Sequence, residues 1–375
     1  MKKSAIVIGA GIVGLATARA LAEKGFSVKV FERNEKAVGA SIRNFGMVWP
    51  IGQPLGKLYD RAMRSQSIWK QCCMEGNIWH HAAGSLLHAY EQDELQVIEE
   101  FYELNKAHRD VSILNPERVM EISPATNPQN LKASLWSSTE VIVDPREAIA
   151  KLPDYLSRKY GVQFLFNKAI SRVEHPVAYS GNEKYEADLI FVCSGADFET
   201  LFPEVFLSSG ITKCKLQMLR TVPQPGAWRI GPALSAGLTL THYGAFENCP
   251  SLSALKKRVE EKMPEYVQWG IHVMISQNGL SEITIGDSHE YGLVHDPFDR
   301  DFINKLILDY LKTFTVIKNP EVAQTWNGIY PKLKGKTEFV TSPANGVHII
   351  NGLSGAGMTL SFGLAEEVVE VATKN

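Results

Sequence analysis

No apolar run in the sequence reaches the roughly 18–20 residues that a membrane-crossing helix needs, so no span is expected. An excess of one charge is also missing. The 39 Lys and Arg stand against 41 Asp and Glu, for a formal net charge of −2, which leaves no basic field to hold nucleic acid or an anionic membrane. Cysteine is scarce and odd in number: of five, Cys72 and Cys73 are adjacent, while Cys193, Cys214 and Cys249 are far apart without C-x-x-C spacing. That pattern argues against a disulfide framework and against a structural zinc site, so no metal is expected and a reducing, cytoplasmic setting fits best. Nor is the composition biased. Hydrophobic residues at 45% and charged residues at 21% are ordinary for a globular protein, which excludes disordered, collagenous and fibrous classes. The 375 residues suggest two domains, at roughly 100–200 residues each.

What is present begins at residue 5. Lys2, Lys3 and the apolar stretch behind them imitate a secretory signal, but the same residues fit a nucleotide-binding unit better. Ala5-Ile6-Val7-Ile8 is a β-branched run of the kind that forms a buried parallel strand. Gly9, Gly11 and Gly14 follow at once, with Ile12 opening a helical stretch to Lys24. Gly25 then ends the helix, and Ser27 to Phe31 reads as a second strand closed by Glu32. Each part has a physical reason. Gly9 permits the tight turn, Gly11 lets a pyrophosphate approach the backbone, and Gly14 lets helix and strand pack closely. The helix N-terminus holds the phosphates, and Glu32, 18 residues after Gly14, accepts from a ribose hydroxyl. The ligand class is an ADP-containing dinucleotide. Glu32 argues against a 2′-phosphate although Arg33 follows it, and FAD and NAD both remain open at this point.

A second glycine cluster closes the chain. Gly352 to Met358 follows the apolar strand Val347 to Ile350 and precedes a helix to about Ala372, again placing a helix N-terminus behind a glycine loop. Such a device suits the flavin edge where negative charge develops on reduction. Asp144-Pro145 opens another helical stretch to Tyr160, with a capping acid ahead of proline at the first helical position. Leu189 to Cys193 reads as a buried strand ending at Ser194-Gly195, and Cys193 as a small core residue. Residues 91–109 and 252–269 read as charged amphipathic helices with solvated faces.

With these segments in view the sequence resembles the D-amino-acid oxidase-like superfamily of FAD-dependent oxidoreductases, which includes glycine oxidase and monomeric sarcosine oxidase. The resemblance rests on Val7 to Glu32, Gly39-Ala40-Ser41, Arg43-Asn44-Phe45-Gly46, Asp188 to Gly195, Gly286-Asp287-Ser288, Trp326 to Pro331 and Gly352 to Met358. It implies an α/β fold, with a Rossmann-like FAD-binding domain interleaved with an α+β substrate domain that contains an antiparallel sheet. The implied FAD-binding domain is discontinuous, residues 1–48, 142–205 and 325–375, and the substrate domain takes 49–141 and 206–324. FAD is expected to be held non-covalently, because Gly328 stands where a relative's flavin-linking cysteine would be and no histidine lies near Asn44. The resemblance places Gly9, Gly11, Ile12, Gly14, Glu32, Arg33, Ser41, Asn44, Phe45, Gly46, Val173, Cys193, Gly195, Gly328, Gly355, Ala356, Gly357, Met358 and Thr359 around the cofactor.

The implied chemistry is oxidation of a C–N bond in a small primary or N-methyl amine, driven by the flavin, so no catalytic side chain is assigned. Relatives carry an arginine in W-x-G-x-R-P that clamps the substrate carboxylate; here that place is Tyr330. The lysine of sarcosine oxidases near the last glycine loop is replaced by Thr359, and the lysine that assists oxygen activation falls near Thr284. Met47 and Trp49 are expected to wall the substrate pocket. Arg43, His242, Lys332 and Lys334 are the candidate cations, although the two lysines also read as surface charges. His242, in Leu238-Thr239-Leu240-Thr241-His242, is expected on a substrate-domain strand. Loss of the carboxylate clamp suits an aminophosphonate such as 2-aminoethylphosphonate. The alternative is a dehydrogenase of a 2-hydroxy acid or glycerol phosphate type passing electrons to another acceptor. The expected partner is a small-molecule amine, and the oligomeric state is not read from the sequence.

Overall fold

The computed structural model describes residues 2–374. One sheet of six strands runs in the order Phe339–Ala344, Val347–Asn351, Leu189–Val192, Ser4–Ile8, Ser27–Phe31, Gln163–Leu165. All its pairings are parallel except the outermost hairpin of Phe339–Ala344 with Val347–Asn351. The central strand shows why its sequence is a continuous apolar run: Ala5 and Val7 face one layer of core, Ile6 and Ile8 the other, and all four are buried. On the first face lie the helices Ile12–Glu23, Pro145–Tyr160 and Gly357–Ala372. On the second lies a three-stranded antiparallel sheet, Arg172–Glu174, Val177–Ser180 and Glu183–Glu186, together with Phe198 and Phe206. Asp144 caps the middle helix by accepting from the Arg146 N–H at 2.9 Å, with Pro145 at its first position.

The second sheet has nine strands, and all of its pairs are antiparallel except Ala233–Ala236 with Ser85–Ala89. Its longest pair joins Thr212–Thr221 to Val322–Lys332 over most of their length. Two segments therefore lie across the boundary drawn from the sequence. Val322–Lys332 belongs to the large sheet, although residues from 325 on were assigned to the cofactor side. The helix Lys57–Gly76, assigned to the substrate side, packs on the C-terminal helix, with the Trp69 and Phe362 rings 5.1 Å apart and crossed nearly at right angles. The stretch 252–269 divides into Leu252–Lys262 and Pro264–Gln268, since Pro264 starts a helix more readily than it continues one.

His242 also departs from expectation. It ends a short helix, Gly237–His242, not a strand. The Leu-Thr-Leu-Thr alternation has the period of a half-exposed strand, but Leu238, Thr239 and Leu240 are all buried, so no solvent face exists to enforce that period. Instead the Leu238 N–H is taken by the Tyr310 hydroxyl at 3.0 Å, and Gly237 packs so tightly on Glu94 that a Cβ there would lie 2.1 Å from its carboxylate.

The large sheet contains a titratable group whose effect on stability has a definite sign. His88 is fully buried, bonded to the Ser134 hydroxyl at 2.6 Å and to the Thr126 hydroxyl at 3.2 Å, and burial pulls its pKa down to about 3. An unfolded chain binds a proton at this imidazole near pH 6.5, whereas the native one does not, so stability falls as pH drops from 6.5 toward 3. The expected slope from this group is up to ~1.4 kcal/mol per pH unit. Urea midpoints measured at pH 8, 6 and 5 should show that slope, and His88→Gln should flatten it; an equal slope in the variant would assign it elsewhere.

Candidate active site

A cavity of about 1280 Å³ lies between the two sheets, above the roughly 300–1,000 Å³ usual for a ligand cleft and so long enough for a dinucleotide and a substrate together. Its nucleotide end is built by the first glycine loop. Gly9 has φ +103°, and a Cβ there would stand 2.4 Å from the Cys193 carbonyl oxygen; one on Gly14 would stand 1.8 Å from the Gly9 carbonyl oxygen. Gly11 meets only the Ser41 hydroxyl, at 3.1 Å, and lines the cavity. Glu32 is held by backbone: Ala10 N–H donates to one oxygen at 3.0 Å and Asn34 N–H to the other at 3.1 Å. The Asn34 side-chain amide also donates to that second oxygen at 3.3 Å, and the lone pairs beyond these three bonds are available to ribose hydroxyls. The Ser41 hydroxyl accepts from the Ile12 N–H at 2.9 Å, and Asn44 folds the loop by donating to the Ala40 and Ser41 carbonyls, each at 3.0 Å.

The helices beginning at Ile12 and at Gly357 are not capped by their own N-cap residues, Gly11 and Ala356, although Ser41 takes the Ile12 N–H, and both open on this cavity. Uncapped N–H groups and the positive end of each helix are what a pyrophosphate and a flavin edge require, so the residues fit FAD. Bound FAD supplies the two-electron acceptor for oxidation chemistry.

Most of the residues expected from sequence border this cavity: Gly9, Gly11, Ile12, Glu32, Arg33, Ser41, Arg43, Asn44, Phe45, Met47, Trp49, Cys193, Gly195, His242, Gly328, Tyr330, Lys332, Gly355, Ala356, Gly357, Met358 and Thr359. Three do not. Gly14 and Gly46 act behind it, where a Cβ would overlap backbone, on Gly46 at 1.9 Å from the Val143 carbonyl oxygen. Val173 sits in the three-stranded sheet opposite Ala178; the chain reaches the cavity earlier, through Lys168, Ala169 and Ile170, because the Lys168 N–H bonds to the Glu32 carbonyl at 3.0 Å. Lys334 is also off the cavity wall. Lys332 is not a surface charge: it is half-buried against the cavity, and burial lowers its pKa. Thr359 is spent on structure, its hydroxyl accepting from the Trp49 N–H at 2.9 Å. The Arg43 guanidinium donates to the Asn327 carbonyl at 3.2 Å.

The opposite end of the cavity holds a group that sequence reading missed apart from His242. His242, His272 and His289 offer nitrogens within 4.8 Å of one another, with Asp287, Tyr243, Tyr330 and Lys332 around them. The His242 ring centroid lies 3.8 Å from that of His272 and 4.7 Å from that of His289. Asp287 stands 3.3 Å from His272 Nε2 and 3.9 Å from His289 Nε2. The exposed surface of His242 faces the cavity, with protein closing round the rest of it. Burial, and then the neighbouring imidazoles, hold His242 and His272 well below the ordinary histidine range; burial, partly offset by the Gly270 carbonyl, brings His289 to about 4. Burial also pushes the Asp287 carboxyl well above its usual range. The signal was hidden because the three histidines come from separate segments at positions 242, 272 and 289, and no spacing rule joins them.

A dinucleotide cradle on a parallel sheet, opening into a second chamber roofed by an antiparallel sheet, defines a flavoprotein oxidoreductase. The chain belongs to the FAD dependent oxidoreductase (DAO) family, whose pattern matches residues 4–371, and it is an FAD-dependent enzyme. It is 25% identical over 260 residues to a D-amino acid dehydrogenase of Helicobacter pylori, a match covering 52% of this chain and 61% of that one. The chain thus matches about three-fifths of that relative's length. Among solved structures it resembles L-proline dehydrogenase from P. horikoshii, at 21% identity and a TM-score of 0.76 over 100% of this chain and 94% of the other. It also resembles glycine oxidase from Geobacillus kaustophilus, at 16% identity and a TM-score of 0.77 over 100% and 96%. Among the described residues no helix is long and apolar enough to cross a membrane.

Proposed function

We propose that this enzyme oxidises the C–N bond of a small primary or N-methyl amine that carries an anionic group at its far end, with an aminophosphonate such as 2-aminoethylphosphonate as the substrate. The observation that carries this reading is the exchange of donors at the far end of the cavity. Tyr330 stands where the arginine clamp is expected, and in place of one planar fork the wall presents His242 from a short helix, His289 from the connection between two strands and Lys332 from a strand end. A planar carboxylate suits a fork; a tetrahedral anion suits donors that converge from several directions. Met47 and Trp49 supply the buried apolar wall between the two ends.

In this reading the substrate would bind with its amine neutral, give a hydride from the α-carbon to bound FAD and its nitrogen proton to solvent water, and leave as an imine that water hydrolyses. Electrons then pass to dioxygen. The chain's part is to hold the anionic end, orient the α-carbon and exclude water, with no side-chain base assigned. The discontinuous division into cofactor and substrate domains, with Val322–Lys332 moved to the large sheet, and a cytoplasmic setting belong to the same proposal.

Anaerobic addition of 2-aminoethylphosphonate or its N-methyl form to purified holoenzyme should bleach the flavin absorbance, and admission of air should restore it with release of peroxide. Bleaching by glycine or sarcosine with none by the aminophosphonates would overturn the substrate class. Bleaching by glycerol phosphate or a 2-hydroxy acid alone would replace amine oxidation with the hydroxyl-oxidising alternative.

A further inference from the structure

The histidine cluster is short of negative charge. Three imidazoles and the half-buried Lys332 converge on one chamber, and among the described residues Lys332 forms no ion pair. The acid beside them, Asp287, sits against His272 and His289 and is only 5% exposed. One donor-capable atom here has no hydrogen-bond partner although its residue is more than nine-tenths buried, His272 Nδ1. A buried polar atom without a partner is rare and calls for an explanation. A cation is the less suited occupant: imidazole nitrogens around one tetrahedral ion stand about 3.3 Å apart, given metal–nitrogen distances of about 2.0–2.1 Å, whereas these lie within 4.8 Å of one another, and the Lys332 ammonium disfavours further positive charge beside them.

We infer that His242, His289 and Lys332 anchor the tetrahedral dianionic end of the substrate, with His272, backed by Asp287, as the positioning group behind His242. This deepens the aminophosphonate reading and rests on it. The chamber takes up a proton as the anion enters. The groups facing it are His242 and Tyr243 from the short helix and its exit, and His272 ahead of strand Met274–Gln277. Asp287 and His289 come from the next segment, and Tyr330 and Lys332 from Val322–Lys332, with Cys214 and Tyr291 beside Tyr330 but off the cavity wall. Burial keeps Tyr243, Tyr291, Tyr330 and Cys214 protonated throughout the neutral range. The imidazoles are neutral in the empty chamber, because burial and then mutual repulsion oppose their charging. A dianion reverses that balance and draws a proton onto one of them.

The test is calorimetric titration of the holoenzyme with methylphosphonate in buffers of different ionisation enthalpy, at a pH of about 8.5, where the ligand is a dianion and the free imidazoles are neutral. Net proton uptake on binding is expected, with acetate binding at least about tenfold more weakly. Lys332→Met and His289→Gln should each weaken methylphosphonate binding by about 10- to 100-fold while keeping the flavin spectrum of a folded holoenzyme. His272→Asn should reduce the proton count. No proton uptake, or unchanged affinity in both anchor variants, overturns the proposal. So does binding that a chelator abolishes and a divalent ion restores, which would make this a metal site. If methylphosphonate binds as described but no aminophosphonate reduces the flavin, the anchor stands and the amine reading falls. If aminophosphonates reduce the flavin with unchanged KM in the variants, the reverse holds.

Discussion

Gly14→Ala should purify largely without flavin, its affinity for FAD lower by about 100-fold or more, a change of about 2.7 kcal/mol. On helix propensity alone the substitution is favourable, since alanine is better than glycine in a helix interior by up to about 1 kcal/mol. Packing opposes it. A Cβ at residue 14 would lie 1.8 Å from the Gly9 carbonyl oxygen and 3.4 Å from Val7 Cγ1. The first contact is with backbone, so no side chain can rotate away, and the loop itself has to move. That loop is what presents Gly9 and Gly11 to the cavity and donates the Ala10 N–H to Glu32 at 3.0 Å. Displacing it by the width of a methyl group separates the acid from the turn that positions it.

The measurement is the ratio of flavin to protein absorbance after gel filtration, with FAD titrated back into the stripped protein. Overpacking costs about 1–3 kcal/mol, and a saturating ligand adds about 2.7 kcal/mol at 100 times its dissociation constant, so the melting temperature should fall on both counts. Full flavin content in the variant would show that the loop yields elsewhere, and that close packing of the helix on the strand is not what shapes the cradle.

That loop was readable in the sequence because its determinants are local. Four apolar residues, three glycines at fixed spacing and a helical repeat lie within thirty positions, and each physical requirement maps onto one of them. The far end of the cavity was not readable for the opposite reason. His242, His272 and His289 meet only because a short helix and two parts of the large sheet converge, and nothing in their separations of 30 and 17 residues announces it. Lys332 was misjudged because a charged residue beside Pro331 and Lys334 looks solvated, while its strand runs along the cavity wall. The Leu-Thr alternation before His242 gave a strand period to residues buried on every side, where period carries no information. The chain lines the cavity three to five residues before Val173, since one backbone bond to Glu32 draws it to the cofactor side at Lys168.

Arg109 was hidden in a stretch read as a solvated helix, and Arg109→Leu is expected to have the largest effect on stability of any change away from the cofactor. Its side chain is buried beyond the end of helix Gln92–Asn105, 4.2 Å over the Tyr59 ring. The guanidinium donates to Asn105 Oδ1 at 2.9 Å, and to the carbonyls of Pro50, Ile51 and Gln53 at 3.3, 3.2 and 2.5 Å. Burial draws its pKa down to about 10, which leaves it charged at neutral pH. Leucine would strand four buried acceptors, and at about 1–3 kcal/mol for an unsatisfied group, shared among neighbours that relax, a loss of about 3–5 kcal/mol follows. Lysine keeps the charge but not the fork, so Arg109→Lys should recover only part of it. The three carbonyls belong to the segment that carries Gly52 against Tyr243, where a Cβ would approach the ring to 2.6 Å, and Tyr243 in turn lies 5.7 Å from His272. Loosening that segment should therefore raise KM more than it lowers kcat and leave flavin content intact, because the nucleotide cradle is built from other elements. Thermal melts and steady-state kinetics on the lysine variant separate the two effects: a lowered melting temperature with unchanged KM would confine Arg109 to stability and remove it from the positioning of the substrate wall.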